Sequence, residues 1–450
     1  MKKPRGKKSA KKTAPKKATK KATKTTAKKA YKKTAPPKSR AVDAAHYRRM
    51  LAGVGASRHA AAAASLGASP FENLELAGPA KARAASAELD LSHGAIEERV
   101  DGAQAELHRI VKNYLGDDPA LYDIADVIAA TAKPALAAMR DAESLSDADA
   151  LSALEVIVRT DGSRPSFMVR NGDADTATSP VGTWDETMRD SAAALRDAIA
   201  CVGRIDDPAA PQGFHGTGIL VAPDLMMTNR HVLQEIATQG KDGNWTLKPN
   251  ITTDFGHEFR ATDTLRRRAI TSILFAGARP IDPFGIDHSK LDLALLELEA
   301  GDAPARVLGV DLARDWGLLE TNVFIIGYPG NPGQAGGPPS LLEKLFKSTF
   351  GCKRLAPGFV TTSADRLAQS ARHWSLGHDA TTLGGNSGSA VVVIGREKIT
   401  AGLHYGGTRA DPRENWCHVL GLTLDETNGR SNTTLRQHFA ARGVELVDRV

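Results

Sequence analysis

From residue 203 onward the chain is a succession of short apolar runs broken by Gly, Pro, Asn and Asp. The runs 218–221, 291–298, 323–326, 390–394 and 419–422 have the length of strands rather than helices, and the loops between them are long. Many short strands separated by turn signals predict an all-β sandwich or barrel. An amphipathic stretch over 433–442, ahead of Gly443, predicts a closing helix.

The first half of the chain obeys other rules. Residues 1–40 contain sixteen lysines, two arginines and no acid, in repeated units such as Lys7-Lys8-Ser9-Ala10-Lys11-Lys12. Such a segment has almost no apolar surface to bury and repels itself, so a disordered basic tail is expected. The remaining 410 residues hold 41 basic and 52 acidic side chains, so the formal net charge of +7 conceals a body that carries −11. Residues 41–150 are alanine-rich and read as a mainly helical region of unknown function. Helices are expected at 41–53, 91–115 and 119–144, with turn signals at Gly116-Asp117-Asp118 and near Ser146. No chemical motif lies among them. Residues 151–202 read as a lead-in packed against the β-rich region from 203 onward. There the β-branched Val156-Ile157-Val158 and the apolar Phe167-Met168-Val169 flank the turn formers Asp161-Gly162-Ser163. A helix starting near Asp185 would put Met188, Leu195, Ile199 and Val202 on one face.

Three later segments carry residues suited to nucleophilic catalysis, in the order His, Asp, Ser. In the first, a strand and a turn lead through Thr228-Asn229-Arg230 to His231 at a strand end. In the second, Asp292 opens the apolar run 291–298, where a desolvated carboxylate needs a hydrogen-bond donor such as an imidazole N–H. In the third, Gly384-Gly385-Asn386-Ser387-Gly388 lets a serine stand exposed while nearby N–H groups converge on one small space. A serine hydroxyl is a poor nucleophile until a neutral imidazole takes its proton. His231 is therefore the expected base, Asp292 the group that orients it, and the amides of Gly385 and Ser387 the expected oxyanion hole. A lone histidine after a strand, or a lone Gly-x-Ser-Gly turn, is commonplace; the three together in this order are not.

Taken together, these segments resemble the trypsin-like serine peptidases, most closely the glutamyl endopeptidase branch that includes the V8 protease. Thr228-Asn229-Arg230-His231-Val232, Asp292-Leu293-Ala294-Leu295-Leu296 and Gly385-Asn386-Ser387-Gly388-Ser389 are similar to that branch's three motifs. The resemblance spans about 203–442. It implies a double β-barrel with a C-terminal helix over 203–450, an activity of serine endopeptidase on protein or peptide substrates, and no metal or other cofactor. Gly402-Leu403-His404-Tyr405-Gly406-Gly407 is similar to the strand that lines the S1 pocket of the branch, and Thr382 stands where the branch has a pocket threonine. By this resemblance His404 and Thr382 would bind a P1 glutamate carboxylate. Two departures stand out. Asn386 replaces the aspartate that, in digestive trypsins, pairs with a freshly cut N-terminus, and Ala390 replaces a common proline. Asp287, five residues before Asp292, is a reserve candidate for the acid.

The tail resembles the lysine-rich tails of linker histones and the extensions of some bacterial nucleoid proteins. Closely spaced cations displace condensed counterions, so residues 1–40 are expected to bind DNA, RNA or another polyanion without sequence preference. A solvated spacer and contact with an acidic membrane surface remain as alternatives. The cysteines Cys201, Cys352 and Cys417 form no CxxC pair, which fits a reducing compartment. With no secretory signal and no apolar run long enough to span a bilayer, a cytoplasmic, nucleoid-associated protein is expected. The competing reading is a nucleic-acid-binding adaptor with a non-catalytic peptidase-like body.

Overall fold

Six antiparallel strands close the first barrel. In order round it they are Ala294–Leu298, Leu225–Thr228, Phe214–Ala222, Val202–Asp206, Thr252–Asp254 and Arg267–Ala276, the last pairing back on the first. The second barrel uses Asn322–Gly327, Ala390–Val393, Gly402–Thr408, Glu414–Val419, Ser375–His378 and Arg354–Thr362, and closes where the first and last of these pair. The all-β double barrel expected of a trypsin-like chain is thus the observed architecture. The computed structural model describes Tyr47, Arg48, Leu51 and residues 89–448, apart from 142–144, 146, 161, 261–265, 283–284, 302–303, 305, 332–343, 346–348, 369 and 409–413. The tail expected to be disordered over 1–40, and most of the helix expected over 41–53, lie outside the described residues.

Apolar side chains from both barrels merge into one core. Ile219, Met227, Leu295 and Phe275 of the first barrel and Phe324, Val392 and Leu403 of the second are all within it and essentially inaccessible. Burial on this scale, at about 25 cal/mol per Å² of apolar surface, is the main force holding the two barrels together. The C-terminal helix Leu435–Ala441 joins the same core through Leu435 and Phe439, and Thr434 and Gln437 satisfy its first amides in a reciprocal capping box.

Among the described residues, three helices pack together ahead of the barrels and of the later helix Asp185–Ala200. His93–Tyr114 starts at the N-cap Ser92, and Pro119–Arg140 starts at the N-cap Asp118 with a proline in its first turn. Ile96, Val100, Ala103, Leu107 and Ile110 recur at helical spacing and are buried. The third helix, Ala148–Thr160, corrects the sequence reading. Val156, Ile157 and Val158 suggest a strand by residue type, yet they are helical, because Leu154, Ile157 and Val158 pack into one cluster with Ile110, Ile128 and Leu136. Tertiary burial overrides a propensity worth only tenths of a kcal/mol per residue. The strand read at 167–169 is present as Phe167–Arg170, and with Asp173–Asp175 it extends the second barrel's sheet from the Arg354–Thr362 strand.

Three smaller corrections concern boundaries. The helix Asp185–Ala200 ends before Val202, which begins a barrel strand. The strand read at 291–298 starts only at Ala294, leaving Asp292 in the approach to it. The run 419–422 leaves the sheet after Val419 and turns into the short helix Leu420–Thr423. At that turn Gly421 lies so close to Ala313 that an added Cβ would sit 2.3 Å from its carbonyl oxygen.

Candidate active site

The strand Leu225–Thr228 ends at Asn229, which is fully buried and donates through Nδ2 to the Asp292 carbonyl at 2.8 Å. That bond holds the two segments side by side. The chain then enters the helix Arg230–Ile236, so His231 sits in a first helical turn rather than at the mouth of an open loop. The Asp292 carboxylate grips it twice. Oδ1 accepts from the His231 backbone N–H at 2.8 Å, and Oδ2 lies 2.6 Å from Nδ1. Nδ1 therefore carries the ring proton, and Nε2 offers a lone pair. Asp292 is only 5% exposed, while the His231 side chain is 27% exposed, enough for a substrate to reach it. Burial alone would raise the Asp292 carboxyl, but the His231 charge and hydrogen bonds hold it below the usual value. Burial pulls His231 the other way, and the Asp292 charge and hydrogen bond more than offset it, so His231 lies above its ordinary value. Asp287 takes no part in this. It is spent on Ser289 and Lys290 at the surface.

The serine turn depends on glycine. Gly385 and Gly388 have φ of 92° and 89°, and a Cβ would fall 2.7 Å from the Tyr328 carbonyl at the first and 1.9 Å from the Thr217 carbonyl at the second. The first barrel props this turn from below. Thr217 donates its N–H to the Ser387 carbonyl at 2.8 Å and its hydroxyl to the Gly385 carbonyl at 2.9 Å. The Gly384 carbonyl accepts from Gly330, and the Asn386 carbonyl from Ser389. In a trans peptide the N–H points opposite to the C=O, so the amides of Gly385 and Ser387 face away from these occupied carbonyls. Neither amide donates a hydrogen bond among the described residues.

Ser387 is partly exposed and shares a cavity of about 430 Å³ with His231, Asp292, Thr382, His404 and Asn415. Its hydroxyl makes no hydrogen bond to His231 in this structure; such contacts commonly tighten only when substrate is bound. His404 is 2% exposed, and its Nδ1 lies 3.2 Å from Nε2 of His378. Burial, reinforced by the neighbouring His378 and His231, pushes His404 well below its ordinary pKa, and burial lowers His378 to about 4, so both rings are neutral near pH 7. The Thr382 hydroxyl donates to Asn415 Oδ1 at 2.7 Å, and Asn415 Nδ2 donates to the Ala380 carbonyl at 2.9 Å.

Sequence reasoning found His231, Asp292, Ser387, His404 and Thr382, and all five line this one cavity. It missed the contribution from outside the barrels. Tyr47, Glu155, Val158 and Arg159 of the helical region form part of the cavity wall. Arg164, on the link between helix and barrel, clasps Asp379 with Nε and Nη2 at 2.9 and 2.7 Å, and its carbonyl accepts from Thr381 at 2.9 Å. No local signal marks Arg164, because its partners lie more than 200 positions away along the chain.

Residues 216–397 match the family described as trypsin-like peptidase domain. A probable serine protease of Lysobacter enzymogenes is 30% identical over 286 residues, covering 58% of this chain and 71% of that one. Among solved structures, a serine endoprotease from Yersinia pestis is similar at 18% identity and a TM-score of 0.31, over 51% of this chain and 62% of the other. A Glu endopeptidase is similar at 17% identity and a TM-score of 0.32, over 49% of this chain and 85% of the other.

Proposed function

The chain belongs to the trypsin-like serine peptidases, and from that premise we propose that it is an endopeptidase working through His231, Asp292 and Ser387. The observation that carries the reading is the double grip of the Asp292 carboxylate on His231, with Nε2 left free in the cavity that Ser387 lines. His231 Nε2 takes the Ser387 proton as Oγ attacks the scissile carbonyl carbon. The negative oxygen that forms is held by the N–H groups of Gly385 and Ser387. His231 then gives its proton to the departing amine, leaving an acyl-enzyme, and water repeats the sequence to release the acid. Replacing Ser387 with Ala is expected to lower kcat by about 10⁶-fold with the melting temperature unchanged. Hydrolysis that persists in the purified Ser387→Ala protein overturns the mechanism.

We further propose a P1 preference for glutamate, with aspartate second. If His378 donates from Nε2 to His404 Nδ1, then His404 carries its own proton on Nε2 and offers it to a carboxylate. His378 Nδ1 is left as a buried lone pair, and it has no partner among the described residues. Thr382 can join only by turning its hydroxyl away from Asn415. A peptide library that shows Arg, Lys or large apolar residues at P1 removes this specificity and leaves the triad standing.

The peptidase unit is taken as 203–450, behind a tail of 1–40, a helical region of 41–150 and a lead-in of 151–202. The sixteen lysines of the tail support binding to polyanions, tested by the salt dependence of DNA and RNA affinity in chains with and without residues 1–40. A cytoplasmic, nucleoid-associated setting fits that role and the three free cysteines. Among the described residues no helix is long and apolar enough to cross a membrane.

A further inference from the structure

The acid–base pair and the nucleophile come from different barrels, so a slip of one barrel against the other would separate them. Close behind Asp292 stands a residue that the triad chemistry does not use. His418, on the second-barrel strand Glu414–Val419, is fully buried and accepts the backbone N–H of Asp292 on Nε2 at 3.0 Å. Because Nε2 accepts, Nδ1 must carry the proton, and it meets the Ser375 hydroxyl at 3.0 Å. The ring is also held on its face. Tyr405 stacks on it at 4.4 Å between centroids, and the Tyr405 hydroxyl lies 2.6 Å from Nδ1 of His288, four residues before Asp292. Trp374 meets the edge of His418 and donates to the His288 carbonyl at 2.8 Å. Three hydrogen bonds thus cross from second-barrel side chains to the short segment that carries the acid.

We propose that His418 is a positioning residue for catalysis: by accepting the Asp292 amide it holds the acid–base pair of the first barrel in register with the nucleophile of the second. The inference rests on the triad reading. A buried amide left without its acceptor shifts to find another, and a misplacement of about 1 Å in a catalytic constellation costs about 10²-fold in rate. Tyr405, next in sequence to His404, braces the same ring, so the wall of the specificity pocket and the seat of the acid are one packed unit.

The test uses the full chain and a peptide that the wild type cleaves. In the His418→Phe protein, which keeps the ring and loses the acceptor, kcat is expected to fall about 30- to 100-fold with KM within about twofold. The acid limb of kcat/KM should also move to lower pH, because a displaced Asp292 no longer raises His231. His418→Gln, whose Oε1 reaches the place of Nε2, should retain kcat within about fivefold. Ser375→Ala, which takes the partner of Nδ1 away and loosens the ring that accepts the Asp292 amide, should lose about threefold to tenfold. Wild-type kcat and an unmoved acid limb in His418→Phe overturn the proposal, as does an equal loss in His418→Gln and His418→Phe. Where His418→Phe does not fold, Ser375→Ala decides: an unchanged kcat rejects the role. Ser387→Ala runs beside these proteins. If it remains active the triad reading fails; if it is inactive while His418→Phe keeps full activity, only the positioning role fails.

Discussion

The two barrels are built alike and contribute unlike things to one cavity. The first provides a charge and its counterpart, with Asp292 bound to His231 by two short hydrogen bonds and each shifting the proton affinity of the other. The second provides shape. Its serine turn is fixed by glycines at positive φ, and beside Asp379 and Glu414, which are bonded to Arg164 and to Thr361, Thr362 and Trp416, it lines the cavity with the neutral His404, Thr382 and Asn415. On the proposed reading, proton handling and substrate recognition should be separately mutable, even though both depend on the seam between the barrels. It also shows where the seam is fastened, at Thr217 beneath the serine turn and at His418 behind the acid.

The largest effect should come from the first barrel. Asp292→Asn keeps the shape and leaves the imidazole in the wrong tautomer, which costs about 10⁴-fold in kcat. In the wild type, His231 must be neutral to act as base, so kcat/KM should fall as pH drops through a pKa above the ordinary 6.5. Stopped assays across pH on both proteins check the rate and the limb together. Next comes the second barrel's turn. Gly385→Ala puts a Cβ 2.7 Å from the Tyr328 carbonyl at a φ of 92°, and the displaced oxyanion amide should cost about 10²- to 10³-fold in kcat. If this variant instead raised KM alone, the turn would be a binding element and the contrast would break.

Smaller effects probe what lies outside the barrels and inside the pocket. Arg164 and Asp379 are 3% and 6% exposed, so Arg164→Met leaves a buried carboxylate with the Phe359 N–H but without its cation, and should cost about 3–5 kcal/mol of stability by chemical denaturation. An equally stable Arg164→Met protein would mean that the second barrel needs no support from the helical side. His404→Phe should lower kcat/KM about tenfold or more for a P1 glutamate peptide and leave a P1 alanine peptide nearly unchanged. Equal losses on the two peptides would make His404 part of the proton machinery rather than of recognition.

The parts of this site legible in the sequence are those whose function needs neighbours in the chain. Ser387 is flagged by the glycines beside it, because only they tolerate the turn, and His231 and Asp292 by the apolar strands that deliver them. His404 and Thr382 came through family resemblance, not residue chemistry. What stayed hidden depends on distance. His418 meets Asp292 across 126 positions, Tyr405 meets His288 across 117, and Arg164 meets Asp379 across 215, and no local pattern encodes such pairings. The strand suggested at Val156-Ile157-Val158 failed for a related reason: side chains that favour strands were recruited into a helical core by the two helices that precede them, beyond the reach of a local pattern.

On the proposed mechanism, the first barrel's imidazole must activate the second barrel's serine. A fluorophosphonate that phosphonylates only activated serines measures this without knowledge of the substrate. A single adduct is expected, located on Ser387 by mass spectrometry, with a labelling rate that falls at least about 10³-fold in His231→Ala. An adduct on another residue, or equal labelling in the folded His231→Ala protein, would contradict it.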